Sequence, residues 1–207
     1  MKIIESCEQG DLDWLKLRVG KVTASEIGNL LSPEFAPRTG EMPKTYLFEK
    51  VAEAFQGRPL PAFGSWQTDQ GLLIEEEAIP WFQLETGCAL TRPAFIEHED
   101  GRCGCSPDAV INGNEGLEVK SPQAVNHVRY LLDGVVPKQY IGQVHFSLYV
   151  TGFKKWTFLS YRRGFPKLIV ETKRDPRICD IIENTLRSFY ERFDDAMQQL
   201  TKLKQAA

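Results

Sequence analysis

The sequence predicts an α/β fold in which a central mixed β-sheet is flanked by helices on both faces. Three observations lead there. Residues 11 to 84 carry helical periodicities, residues 93 to 120 alternate like strands around tight reversals, and the remainder runs as two helices, two strands and a long amphipathic helix. Helices, a meander, then helices and strands again make a layered sheet. At 207 residues, 42% hydrophobic and 26% charged, the chain is long enough to bury a full core. Residues 1–207 are therefore expected to form one domain, and no internal repeat divides them.

Taken in order, residues 11 to 18 read as a helix with an acidic first turn, ending near Gly20 with Arg18 at its C-terminal end. Thr23 and Glu26 have the spacing of a capping box ahead of Ile27, Leu30 and Leu31, so a second helix is expected to start there. Its backbone N–H groups, with the hydroxyls of Thr23 and Ser25, could receive a phosphate, although the plainer reading of the same residues is a helix cap. Pro33, Pro37, Gly40 and Pro43 make 32 to 43 a loop with Arg38 near its tip. Leu47, Val51, Ala54 and Phe55 give a helix opened by Pro43. The next helical stretch, 68 to 84, places Gly71, Glu75, Ala78 and Phe82 on one face and points Glu75 inward, and Pro80 should kink or interrupt it. Residues 93 to 111 form a strand pair broken at Glu99-Asp100-Gly101, and the hairpin that follows completes three antiparallel strands. Ser121-Pro122 starts a short helix, and Pro137 begins another on which Tyr140, Gln143, Val144 and Ser147 align. Strands at 155 to 161 and 167 to 173 precede a terminal helix launched by Asp175-Pro176.

The first residues lack the apolar run of a signal peptide, and no window reaches the length of a membrane span, so a cytoplasmic protein without membrane contact is expected. Five cysteines at irregular spacing form no disulfide framework and read as reduced thiols. They do not cluster as an iron–sulfur site would require, and His98, His127 and His145 show no zinc spacing. Net charge is −3, but it is segregated. From Asp69 to Glu118 there are eleven acidic residues against two basic, and from Val119 to Arg174 ten basic against two acidic. Two solvated surfaces would account for this; so would a cation-binding half beside a phosphate-binding half.

The chemistry concentrates between Asp108 and Lys120. This stretch reads as strand, Gly/Asn-rich reversal, strand, and in Leu117-Glu118-Val119-Lys120 the alternation sends Glu118 and Lys120 to one face and Val119 to the other. Folding the hairpin brings Asp108 to the same polar edge. Two carboxylates at the end of a buried sheet need a compensating charge, and a hard divalent cation with oxygen ligands suits them. Asp108 and Glu118 would hold it, the backbone carbonyl of Val119 would add an oxygen, and Glu75 could complete the shell. Lys120 would orient or help deprotonate a water, or stabilise charge on a phosphoryl centre. Glu-x-Lys alone is weak, because Glu171-Thr172-Lys173 repeats it in another strand. A salt-bridged strand edge remains the competing reading.

Longer blocks carry a resemblance. Trp14-Leu15-Lys16-Leu17-Arg18-Val19-Gly20 through Val22-Thr23-Ala24-Ser25-Glu26, Gly71 with Glu75, Cys105-Ser106-Pro107-Asp108, Gly116 through Pro122, and Tyr140-Ile141-Gly142-Gln143-Val144 through Ser147 follow one another as in the phage lambda exonuclease group. That group, the YqaJ-like viral recombinases, lies within the PD-(D/E)xK nuclease superfamily. The resemblance implies a restriction-endonuclease-like core, the whole chain forming one exonuclease domain. The implied activity is Mg2+-dependent 5′-to-3′ digestion of one strand of linear double-stranded DNA, leaving 3′ single-stranded overhangs for recombination by strand annealing. Two Mg2+ ions are expected, with Mn2+ able to substitute. The implied partners are a DNA end, two further copies in a homotrimer ring, and a single-strand annealing recombinase.

By the same resemblance, Asp108, Glu118 and Lys120 are the catalytic set, Glu75 is the added acidic residue, and Gln143 reaches the site from its helix. Arg18 would hold the terminal 5′-phosphate, with Thr23, Ser25 and Ser106 nearby, and Arg38 would enter the groove of the duplex. The stretch 65 to 70 departs from the family's usual residues, and Trp66 within it could separate strands by stacking on a base or equally be a partly buried core residue. Two other classes stay open: a structure- or sequence-specific endonuclease on the same core, and a non-catalytic DNA-binding scaffold.

Overall fold

The central strand of this protein is the one that carries Glu118 and Lys120. The computed structural model describes residues 1–61 and 67–206, with side chains of the second segment from Glu77 onward. In chain order the elements are β1 (Lys2–Ile4), α1 (Leu12–Leu17), β2 (Val22–Thr23), a 3-10 helix (Ala24–Asn29), α2 (Glu41–Gln56), α3 (Gln67–Thr86), β3 (Leu90–Thr91), β4 (Phe95–Glu97), β5 (Cys103–Cys105) and β6 (Ala109–Ile111). There follow β7 (Glu115–Lys120), α4 (Ala124–Asp133), α5 (Lys138–Thr151), β8 (Lys155–Ser160), β9 (Leu168–Lys173) and α6 (Pro176–Ala206). A five-stranded mixed sheet has the order β3-β6-β7-β8-β9, with β7 parallel to β8 and the other pairs antiparallel.

Side-chain alternation along β7 divides the core. Leu117 and Val119 join Leu159 of β8 and Ala78, Ile79 and Phe82 of α3 in one apolar cluster. The opposite face, with Val110, Trp156 and Phe158, packs on Val144 and Phe146 of α5 and on Ile182 and Phe189 of α6. The sheet is thus covered on both faces, as expected from the sequence. Gly116 is required where β7 passes beneath the fully buried Trp156, because a Cβ there would come within 2.3 Å of the indole ring.

Several local expectations are corrected. The meander is not one set of three antiparallel strands: β4 and β5 belong to a separate four-stranded sheet, β1-β4-β5-β2, and the chain changes sheets at Ser106-Pro107. Pairing of β5 with the distant β2, in parallel, produces this split. The capping box at Thr23 and Glu26 does not cap an α-helix. The Thr23 hydroxyl donates to Glu26 Oε2 at 2.7 Å instead of engaging backbone N–H groups, and the segment winds as a short 3-10 helix. α2 begins at Glu41, two residues ahead of Pro43. α3 is not interrupted by Pro80 and runs to Thr86. Pro80 is exposed, so the carbonyl that loses its N–H partner can turn to water.

The segregated charges also meet. Glu115 pairs with Lys155 at 2.9 Å, Glu118 with Lys120 at 2.5 Å, and Glu77 with Arg163. Lys155 and Arg163 of the basic segment therefore neutralise acidic partners rather than standing ready for phosphates, and Lys120 is held against Glu118 at the end of β7.

Candidate active site

The β6–β7 hairpin ends in a polar cluster. The Asp108 N–H donates to the Leu117 carbonyl at 3.0 Å, and then the Asp108 carboxylate, through Oδ2, accepts the Val119 N–H at 2.5 Å. A side chain thus takes the place of a backbone acceptor at the end of the ladder, which fixes Asp108 against β7. N–H and C=O of one strand residue face the same neighbour. The Val119 carbonyl is accordingly directed to the Asp108 side, whereas the Lys120 carbonyl accepts Tyr161 N–H at 2.9 Å on the β8 side.

Glu118 is 2% exposed and Asp108 8% exposed. Glu118 Oε1 accepts from Lys120 Nζ at 2.5 Å and from Gln143 Nε2 of α5 at 2.6 Å. Lys120 also lies over the Tyr140 ring, 5.4 Å from its centroid. Burial works to lower the Lys120 pKa, but attraction to Glu118 and Asp108, together with the Glu118 hydrogen bond, outweighs it and holds the ammonium above its ordinary value. In this arrangement Lys120 is ion-paired with Glu118. The sequence alternatives converge here, since the salt bridge is real but it is buried and lies beside a second carboxylate. The repeat motif at Glu171 and Lys173 sits instead on exposed positions of β9, with Glu171 paired to Lys155.

The donor set fits a hard divalent cation. Asp108, Glu118 and the Val119 carbonyl offer only oxygen, and both carboxylates are buried, which is the donor type that a hard divalent cation takes. Glu75 lies on α3, in the part whose side chains are outside the described residues. Among the described residues, three mixed ligand groups gather elsewhere, at His98, Asp100 and Cys103.

A model of the YqaJ-like viral recombinase domain matches residues 13–154, which run from α1 to the residue before β8 and contain the whole cluster. The chain belongs to the YqaJ-like viral recombinase family. Among solved structures it is similar to an alkaline exonuclease (LHK-Exo) from Laribacter hongkongensis, at 23% identity over 94% of this chain and 99% of that one, with a TM-score of 0.82. The complex of LHK-Exo with dAMP gives 23% identity, the same coverage and a TM-score of 0.83. A phage related exonuclease from Haemophilus somnus 129PT matches at 15% identity over 87% of this chain and 96% of that one, with a TM-score of 0.68. At these identities the likeness is one of fold. No curated protein matches.

Beside the hairpin, this YqaJ-like domain holds a second cluster built on Trp14, a residue to which the sequence assigned no role. Arg18 lies over the Trp14 ring, 4.3 Å from its centroid, and donates through Nη2 to the Thr23 hydroxyl at 3.2 Å. Trp14 Nε1 donates to Ser106 Oγ at 2.8 Å, and Ser106 Oγ donates to the Ala94 carbonyl at 2.8 Å. Arg18 and Ser106 are thereby joined through one indole, and Ser106 stands two residues before Asp108. The spacing of Trp14 and Arg18, one helical turn apart, was the available signal for their pairing.

Other expected phosphate contacts are already engaged. Thr23 is buried and its hydroxyl bridges Arg18 and Glu26. The Ser106 proton is committed to Ala94, so these two residues position neighbours more readily than they donate to a ligand. Ser25 is exposed, 3.5 Å from Thr23 Oγ1. Arg38 is not extended at a loop tip: its Nε donates to the Gly28 carbonyl at 2.7 Å and the Leu31 carbonyl at 3.3 Å, which folds it onto the end of the 3-10 helix. Arg18 opens on a cleft with mixed charge, lined also by Glu26, Lys50 and Glu53. Burial lowers the Arg18 pKa against the pull of Glu26, Tyr46 and Glu53. Trp66 lies outside the described residues.

Proposed function

We propose that this chain is a Mg2+-dependent 5′-to-3′ exonuclease that digests one strand of linear duplex DNA and leaves 3′ overhangs for strand-annealing recombination. The observation that carries the reading is the buried convergence of Asp108, Glu118, Lys120 and Gln143 at the end of β7, tied through Ser106 and Trp14 to Arg18. Family membership and the fold shared with two proteins named as exonucleases support it. A homotrimer ring and an annealing recombinase partner belong to the same proposal, on the strength of the family alone, as does Mn2+ as a substitute.

Asp108, Glu118 and the Val119 carbonyl, with Glu75, would hold Mg2+. Bound there, the ion supplies positive charge to a phosphoryl oxygen and acidifies a water. Gln143 and Lys120 restrain Glu118 through one oxygen, so its carboxylate keeps a single orientation. Lys120, held as an ammonium, places positive charge where the pentavalent phosphoryl group gathers negative charge. Arg18, kept rigid by the Trp14 ring and by Thr23, offers a guanidinium to a terminal phosphate and so selects an end rather than an interior site. The indole link sets that phosphate at a fixed distance from Asp108, which confines cutting to the terminal linkages.

The test compares linear 5′-phosphorylated duplex with covalently closed circles in Mg2+. Digestion of the linear substrate alone is expected. Cleavage of circles would make the protein an endonuclease on the same core, and inertness on both would make it a scaffold. Asp108→Ala and Glu118→Ala should abolish digestion without unfolding the chain.

A further inference from the structure

The turn between β4 and β5 assembles a second group of ligand atoms, away from the oxygen-only cluster. One ring nitrogen of His98, a carboxylate oxygen of Asp100 and the Cys103 thiol all lie within 4.8 Å of one another. The backbone holds them in register. His98 N–H donates to the Cys103 carbonyl at 2.9 Å, and Gly101 N–H to the His98 carbonyl at 3.0 Å, with Gly101 at φ +72 to close the reversal. Asp100 is fixed in turn, because its Oδ1 accepts Arg102 N–H at 2.9 Å. The His98 ring stacks on Tyr149 of α5, centroids 4.9 Å apart and planes 15° from parallel.

His98 Nδ1 is buried, and it faces Asp100 Oδ1 at 3.0 Å without the alignment of a hydrogen bond. Two ligand atoms at about 2.0 Å from a tetrahedral metal stand roughly 3.3 Å apart, so the pair is spaced as adjacent coordination positions are. Nitrogen, oxygen and sulfur together select a borderline-soft cation over Mg2+ or Ca2+. Cys103 closes the inner side, while Asp100, 45% exposed, leaves a way in from solvent.

We propose that His98, Asp100 and Cys103 form a three-ligand site for Zn2+ or a cation of that class, with a water in the fourth position. The ion pins the start of β5, the strand that leads through Ser106-Pro107 to Asp108, and so braces the hairpin upstream of the acidic cluster.

Metal-stripped protein is titrated with Co2+ and followed by absorption. One equivalent should develop the thiolate-to-cobalt charge-transfer band, which the oxygen ligands at Asp108 and Glu118 cannot produce, and added Zn2+ should erase it. Asp100→Ala and His98→Gln should each weaken Co2+ binding at least about tenfold. Because Cys103→Ser replaces a buried side chain, the exposed Asp100 is the deciding position, and that variant should stay folded. Zn2+ should also raise the thermal midpoint of the unaltered protein and not that of Asp100→Ala. Absence of the band, or a band that keeps its affinity in both variants, overturns the proposal.

Discussion

Replacing Gln143 by alanine removes one defined contact from the candidate site. Gln143 Nε2 donates to Glu118 Oε1 at 2.6 Å, and Glu118 is 2% exposed, so water cannot readily replace the lost donor. A hydrogen bond to a buried charged group is worth about 1.5–3 kcal/mol. Lys120 remains on the same oxygen at 2.5 Å, so the carboxylate keeps one partner while losing the restraint that comes from α5. If the full contact acts on the transition state, the rate of digestion should fall roughly ten- to a hundredfold. The assay is single-turnover nucleotide release from 5′-phosphorylated linear duplex, with urea unfolding measured in parallel. The preference for phosphorylated over hydroxyl ends should be unchanged, because Arg18 is untouched. A rate within about threefold of the unaltered protein would refute the claim that Gln143 orients Glu118 for the reaction.

Three other outcomes follow from the geometry. Arg18→Ala should reduce discrimination between phosphorylated and hydroxyl 5′ ends in a competition digest, and an unchanged ratio would make Arg18 structural. Gly116→Ala drives a Cβ to within 2.3 Å of Trp156, a ring with no room to withdraw, and should destabilise the fold by about 1–3 kcal/mol in chemical denaturation. Burial raises the pKa of Glu26, but Lys50, the Thr23 hydroxyl and Arg18 outweigh it and leave the carboxyl below its ordinary value of 4.5. Its contribution to stability is therefore complete above that ordinary value and is lost as pH falls through the lower folded-state value. Glu26→Gln should flatten the acid limb of the stability profile.

Local pattern was enough for the β6–β7 hairpin, because side-chain alternation assigns Glu118 and Lys120 to one face whatever surrounds them. Helical spacing aligned Tyr140, Gln143, Val144 and Ser147 on α5, but that Gln143 reaches the hairpin was implied only by the family resemblance; the structure puts its Nε2 on Glu118. Long-range pairing was not legible. The change of sheet at Ser106-Pro107 depends on β5 finding β2, some eighty residues earlier in the chain, and no local signal encodes that choice. Competition between side chains defeated one further reading, and a contact with backbone placed another residue where spacing does not. Thr23 and Glu26 have capping spacing, but with Arg18 and Lys50 close by they bond to charged partners instead of to backbone. Arg38 likewise found carbonyls at the end of the 3-10 helix. Lys50 shows the limit from the other side: its pairing with Glu53 one turn away could be read from spacing, whereas its burial beneath Glu26 could not.

The central claim is that the hairpin hydrolyses and the Arg18 cluster supplies direction. Strand-resolved digestion of a linear duplex carrying distinct labels at its 5′ and 3′ termini tests both together. In Mg2+ the account requires early release of the 5′ label as a mononucleotide, an intact complementary strand, and no release from the Asp108→Ala variant. Early release of the 3′ label, or internal fragments with both labels retained, would contradict it.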